Sequence, residues 1–273
     1  MMRFIFFLAL SLAIACSSKA TEDNLIEMEP RGPEGTVDED GNGSSAQNSD
    51  PLFTNSIVST EIDFIRSGDS DSFLSITYEG QAEKEMPDSR NDQLFDTAAF
   101  VFKANFSAGV TVEIWAHSSF GNENVAKENA DKIVNRLGKL PPFMLNKLSH
   151  VVLHKGDAGA FAESESNFFV VYSENIDVRI SNKDLEETVF HESVHATLDA
   201  VHLQRAEWRD AQQRDGTFIT QYAMENADKE DMAETALFVY TMVKHPGRLA
   251  PDTEAWVRTN IPNRYNFLKT IFE

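Results

Sequence analysis

Between Asp184 and His202 the chain runs without Gly or Pro, and the middle of that run is His191-Glu192-Ser193-Val194-His195. Such a run propagates a helix, with Asp184 placed to cap its N-terminus and Glu186 and Glu187 in the first turn, where the dipole favours acids. Residues four apart lie on one face of a helix, so the imidazoles of His191 and His195 converge on a single point. Glu192 stands one step round from them. This H-E-x-x-H spacing constrains the chain more than any other feature, because it demands a helix whose ligand face meets a further element. The bland alternative is an amphipathic surface helix with two exposed histidines.

A catalytic zinc site needs a third protein ligand and an open position for water. A third histidine of the metzincin kind would require Gly at position 198 and His at 201, where this chain has Leu198 and Val201. His202 is one residue out of that register and reads as a helix-end residue that complements the dipole. Asp199 lies on the helix of the histidines themselves and is hard to aim at the same ion. The better source is Glu230-Asp231-Met232-Ala233-Glu234, which begins thirty-five residues after His195. Four-residue spacing again puts two carboxylates on one face, one to bind the metal and one to receive the N–H of a ligating imidazole. An acidic, solvated helix start is the plain alternative.

The order of the elements predicts an α+β domain. Phe100–Phe106 and Val110–Trp115 are β-rich, with Ser107-Ala108-Gly109 as a hairpin turn between them. Val125–Leu137 has helical spacing that Gly138 stops, and His150–His154 and Phe168–Tyr172 read as strands. Phe168 and Phe169 fit either a core strand or an edge strand where a peptide pairs by β-augmentation. His150 and His154 share a strand face and read as surface residues. Helical patterns then follow through Phe190–His202, Glu230–Val243 and Ile261–Phe272, while Thr60–Asp96 stays ambiguous within the same domain.

The N-terminal fifteen residues have the form of an export signal: Arg3, then an apolar run from Phe4 to Ile14. Leu12-Ala13-Ile14-Ala15-Cys16 resembles a lipobox, and Cys16 is the only cysteine among 273 residues. Acylation at Cys16 is therefore expected, with the membrane as a partner through that lipid and with no disulfide in the mature chain. Ser17 leans the expected location in the bacterial cell envelope toward the outer membrane. Residues 16–55 are polar and acidic and predict a disordered tether, which leaves 56–273 for one domain. A net charge of -20 excludes nucleic acid as a partner.

Taken together, His191-Glu192-x-x-His195, Tyr222-Ala223 and Glu230-x-x-Ala233-Glu234 resemble the gluzincin zinc metallopeptidases, most closely the catalytic domain of anthrax toxin lethal factor and its bacterial relatives. The resemblance covers about Phe168 to Tyr240. It implies a zincin-like fold, in which a twisted, mostly antiparallel sheet packs on the H-E-x-x-H helix and a helical C-terminal part follows. It also implies one Zn²⁺ bound by His191, His195 and Glu230, with Glu234 behind an imidazole. Zinc brings the pKa of its water from ~15.7 toward ~7; Glu192 then acts as general base and Tyr222 stabilises the oxyanion. Tyr222 stands eight residues before Glu230, one more than the family spacing. The expected activity is hydrolysis of peptides or proteins at the cell surface or in the periplasm by a monomeric peptidase. The alternatives are a catalytically inactive zincin-like lipoprotein that binds a partner protein, and a binding lipoprotein without metal.

Overall fold

The stretch that the sequence leaves ambiguous forms half of a long hairpin. In the computed structural model, which describes residues 50–273, β1 (Phe73–Glu85) pairs antiparallel with β2 (Phe95–Phe106). Much of β1 stays exposed, and its register shifts three times along the pair, so no clean alternation marks it. One shift falls at Gly80, whose φ of 106° is open to glycine and strained for other residues. The expected turn at Ser107–Gly109 leads into β3 (Thr111–Ala116), antiparallel to β2.

Two helices then carry the chain back across the sheet. The first, α1 (Glu123–Leu137), begins where the Asn122 side chain accepts the Val125 N–H; the second is α2 (Pro142–Lys147). Gly138 ends α1 as expected, yet its φ of -61° is right-handed. Glycine is needed there for close approach, because a Cβ would lie 1.8 Å from Asp71 Oδ1 and 2.9 Å from the Phe73 nitrogen.

This helical crossover delivers β4 (His150–His154) parallel to β3, as a crossover between neighbouring strands requires. The chain passes on to β5 (Phe161–Glu163) and doubles back as β6 (Phe168–Tyr172), which runs parallel to β4 and antiparallel to β5. The strand order is β1-β2-β3-β4-β6-β5, a mixed open sheet. Three of its five pairings are antiparallel, as expected for most of the sheet, and two inner ones are parallel: α1 and α2 carry the chain from β3 to β4, and β5 lies between β4 and β6 in the chain. The strand order moves the edge. Phe168 and Phe169 lie on an interior strand with partners on both sides, and β5 is the edge strand at that end of the sheet.

After β6 the chain is helical: α3 (Ser173–Asn182), α4 (Leu185–Val194), a π-helical turn over His195–Asp199, α5 (Ala200–His202), α6 (Ala206–Asp215), α7 (Gln221–Glu225), α8 (Asp231–Lys244), α9 (Pro251–Asn260) and α10 (Pro262–Phe272). Strands first and helices afterwards make this an α+β fold. Every residue of α4 is buried, so the helix is a core element and not the amphipathic surface helix of the bland alternative. It packs under β5 and β6 and against α1 and α8. Phe102, Ile114, Val151, Leu153 and Phe169 point from the sheet into this layer.

Three further expectations are corrected. Asp184 occupies the N-cap of α4 without a side-chain cap bond; its carboxylate takes the Arg179 guanidinium at 3.0 Å instead. His150 and His154 are not surface residues: both are buried on the far face of the sheet, beside a small second core of Met86, Val152, Phe161 and Val170. The fold also starts before residue 56. Phe53 donates its N–H to the Ile219 carbonyl and accepts from the Gln221 N–H, at 3.1 and 2.8 Å, so the last residues assigned to the tether are part of the domain. Cys16, the signal segment and residues 16–49 of the tether lie outside the described residues.

Candidate metal centre

One helical turn separates His191 from His195, and the turn brings their Nε2 atoms to 3.1 Å from each other. Glu230, the N-cap residue of α8, sets Oε2 at 3.3 Å from each of those nitrogens. Two imidazole nitrogens and a carboxylate oxygen thus form a nearly equilateral triangle. Donors held about 2.0–2.1 Å from a tetrahedral zinc ion are separated by about 3.3 Å, so the triangle fits that ion. Two Nε2 atoms this close cannot both point a proton at the other, and a metal cation satisfies all three lone pairs at once. Among the described residues this is the group of His, Cys, Asp and Glu that can hold a metal. His191 is buried, while His195 keeps a partly open side.

A carboxylate stands behind each imidazole. Asp199 Oδ2 meets His195 Nδ1 at 2.7 Å, across the widened turn that follows α4. Glu234 Oε1 lies 3.6 Å from His191 Nδ1. Carboxylates in this position orient a ligating ring and raise its basicity. Asp199, which the sequence offers as a difficult third ligand, contacts the far nitrogen of His195 in the fold. The signal for that contact was its position four residues after the histidine.

Electrostatics follow from burial and these partners. Burial raises the Glu230 carboxyl, but the hydrogen bonds and charge of His191 and His195 outweigh it and hold the group well below the usual carboxylate range. Burial lowers His195, yet Asp199 and Glu230 together push it well above the ordinary histidine range. For Glu192 burial wins over the two nearby imidazoles, so its carboxyl is raised above the usual range. Ser193, inside the motif, donates its hydroxyl to the Val189 carbonyl at 2.6 Å and is committed to the helix.

The remaining expected residues are less tightly gathered. Tyr222 sits half-buried in α7, and its carbonyl accepts from the Asn226 backbone and side chain. Two residues before it, Thr220 caps α7 through Ala223 and gives its own hydroxyl to Glu234 Oε2 at 2.9 Å. Next to Glu230, Asp231 points the other way, into a fully buried pairing with Arg264 of α10 at 2.7 Å. Arg264 also binds Asp215, so α6 and α10 together fix the start of α8. Comparison of the chain with protein-family models, curated proteins and solved structures gives no match.

Proposed function

We propose that this chain is a zinc-dependent peptidase of the gluzincin kind, with a zincin-like domain held in the bacterial cell envelope by a lipid on Cys16. Its substrates are peptides or proteins at the cell surface or in the periplasm. The observation that carries the reading is the convergence of His191, His195 and Glu230 within 3.3 Å, beside the buried Glu192. A structural zinc site has no use for that fourth group. Among the described residues no helix is long and apolar enough to cross a membrane, and the proposed anchor is the N-terminal lipid.

Bound at this triangle, zinc supplies a Lewis acid that polarises the scissile carbonyl and acidifies water. Glu192 takes the proton of the attacking water and passes it to the leaving amine as the C–N bond breaks. Asp199 and Glu234 keep the two imidazoles aimed and electron-rich. The substrate strand extends the sheet at β5, the edge nearest the His195–Asp199 turn, by β-augmentation. Tyr222 donates a hydrogen bond to the developing oxyanion, so Tyr222→Phe lowers kcat by roughly a hundredfold with zinc affinity unchanged. A Tyr222→Phe enzyme with wild-type kcat removes that role.

Metal analysis of the purified protein, beside cleavage of an unbiased peptide library, tests the reading. Wild type is expected to hold one zinc per chain and to cut. Glu192→Gln keeps the zinc and loses roughly 10²- to 10⁴-fold in turnover. Protein that retains zinc and cuts nothing is the inactive, partner-binding lipoprotein; protein without zinc ends the proposal.

A further inference from the structure

Glu234 is fully buried, and its two oxygens are held from a distant part of the chain. Ser56 Oγ donates to Oε1 at 2.6 Å, and the Ile57 N–H donates to Oε2 at 2.9 Å. Thr220 supplies the remaining bond to Oε2 at 2.9 Å. The segment that carries Ser56 is itself registered by the Phe53 pairing to Ile219 and Gln221. Its Phe53 ring stacks on Phe238 at 5.6 Å, one turn beyond Glu234 on α8. Further on, Phe64 and Ile65 give their N–H groups to Glu187 Oε1 at 3.0 and 3.1 Å, one turn before His191 on α4. The N-terminal strap of residues 53–65 therefore grips both ligand-bearing helices, each through a buried carboxylate one turn from a ligand.

We propose that this strap is a working part of the metal centre and that Ser56 is a positioning residue, acting through Glu234 on the imidazole of His191. The inference rests on the metal reading above. A carboxylate fixed by three donors keeps one orientation, and the 3.6 Å approach of Glu234 to His191 Nδ1 is set by that orientation. Ser56 is half-buried and its hydroxyl is bonded to Glu234, so a change there reaches the site by way of Glu234.

The test measures zinc dissociation constants by competition with a chromophoric chelator, on full-length wild type, Ser56→Ala, Ser56→Thr, Glu234→Ala and Ser56→Ala/Glu234→Ala. Thermal unfolding of each chelated protein reports the fold separately from the metal. Ser56→Ala is expected to weaken zinc binding roughly tenfold, at the lower end of what loss of an outer partner costs. Ser56→Thr, which keeps the hydroxyl, restores it. In the Glu234→Ala background the Ser56 effect vanishes, as it must if one residue acts through the other. Unchanged affinity in Ser56→Ala overturns the proposal and leaves the metal reading standing, as does a tenfold loss that persists without Glu234. If wild type binds no zinc, both fall together.

Discussion

Two histidine pairs in this chain share one sequence spacing and have opposite environments. His150 and His154 lie on β4, His191 and His195 on α4 and the turn after it; all are at least half-buried in the fold. Four residues along a strand span about 13 Å. The same four along a helix make about one turn, and the rings of His191 and His195 come within 4.8 Å. His150 is sandwiched between Trp115 at 3.5 Å and Phe168 at 4.4 Å, and His154 lies on Tyr172 at 5.6 Å. Asp88 stays 3.9 Å from His154, beyond hydrogen-bond reach, whereas Asp199 meets His195 at 2.7 Å. His150 and His154 pack as aromatic rings and hydrogen-bond Ser149 Oγ and the Pro87 carbonyl, at 3.0 and 3.1 Å. Burial of a histidine with carboxylates behind and beside it fits the proposed role of a metal ligand.

The largest expected effect separates the pairs outright. His191→Ala is expected to weaken zinc binding at least ~100-fold, more than loss of an outer partner does. His150→Ala leaves zinc affinity unchanged and instead lowers stability by about 2 to 4 kcal/mol through the cavity it opens. Chelator competition and urea unfolding of both variants check this, and zinc loss in His150→Ala would break the comparison.

The next effect sharpens it through pH. Burial lowers His150 to about 4, against weaker opposing influence from Glu113. Between 6.5 and 4 the unfolded chain therefore binds a proton that the native state refuses, and stability falls as pH falls through that window. Burial raises Glu187 to about 7, over the Phe64 and Ile65 hydrogen bonds and with Glu186 and Asp63 adding to the rise. Between 4.5 and 7 the native state holds a proton that the unfolded chain releases, so stability falls as pH rises. Each contribution is of the order of 3 kcal/mol, and the two oppose each other in the wild type. On chelated protein, His150→Phe should abolish the acid-side loss and Glu187→Gln the neutral-side loss. Urea midpoints from pH 4 to 8 that run parallel for all three proteins contradict the assignment.

A smaller effect tests the carboxylate that distinguishes the helix pair. Asp199→Ala is expected to cost roughly ten- to a hundredfold in zinc affinity, with the helix intact by circular dichroism. Equal affinity in wild type and variant would mean that the 2.7 Å contact with His195 does not tune the metal.

Legibility differed by element for physical reasons. The bounds of β4 and β6 can be read directly because each is a short, fully buried stretch with an apolar centre between turn signals. Strand β1 hides because one side is exposed and bulges break its period. The parallel pairings of the sheet are invisible locally, since strand direction depends on how α1 and α2 carry the chain from β3 to β4 and how β5 carries it from β4 to β6. Asp184 sits where a cap belongs, but Arg179 competes for its carboxylate.

At the site, the sequence by itself determined the face shared by His191 and His195, with Glu192 one step round, and it placed two carboxylates one turn apart at the start of α8. Helical periodicity is a local property, so residue spacing suffices for it. Only the tertiary structure decided that Glu230 meets both imidazoles, that Asp199 turns back on His195, and that Ser56 reaches Glu234 across 178 positions of chain. Those contacts depend on the packing of α8 and the N-terminal strap against α4, and the stabilisation comes from burying apolar surface that no short stretch of sequence contains.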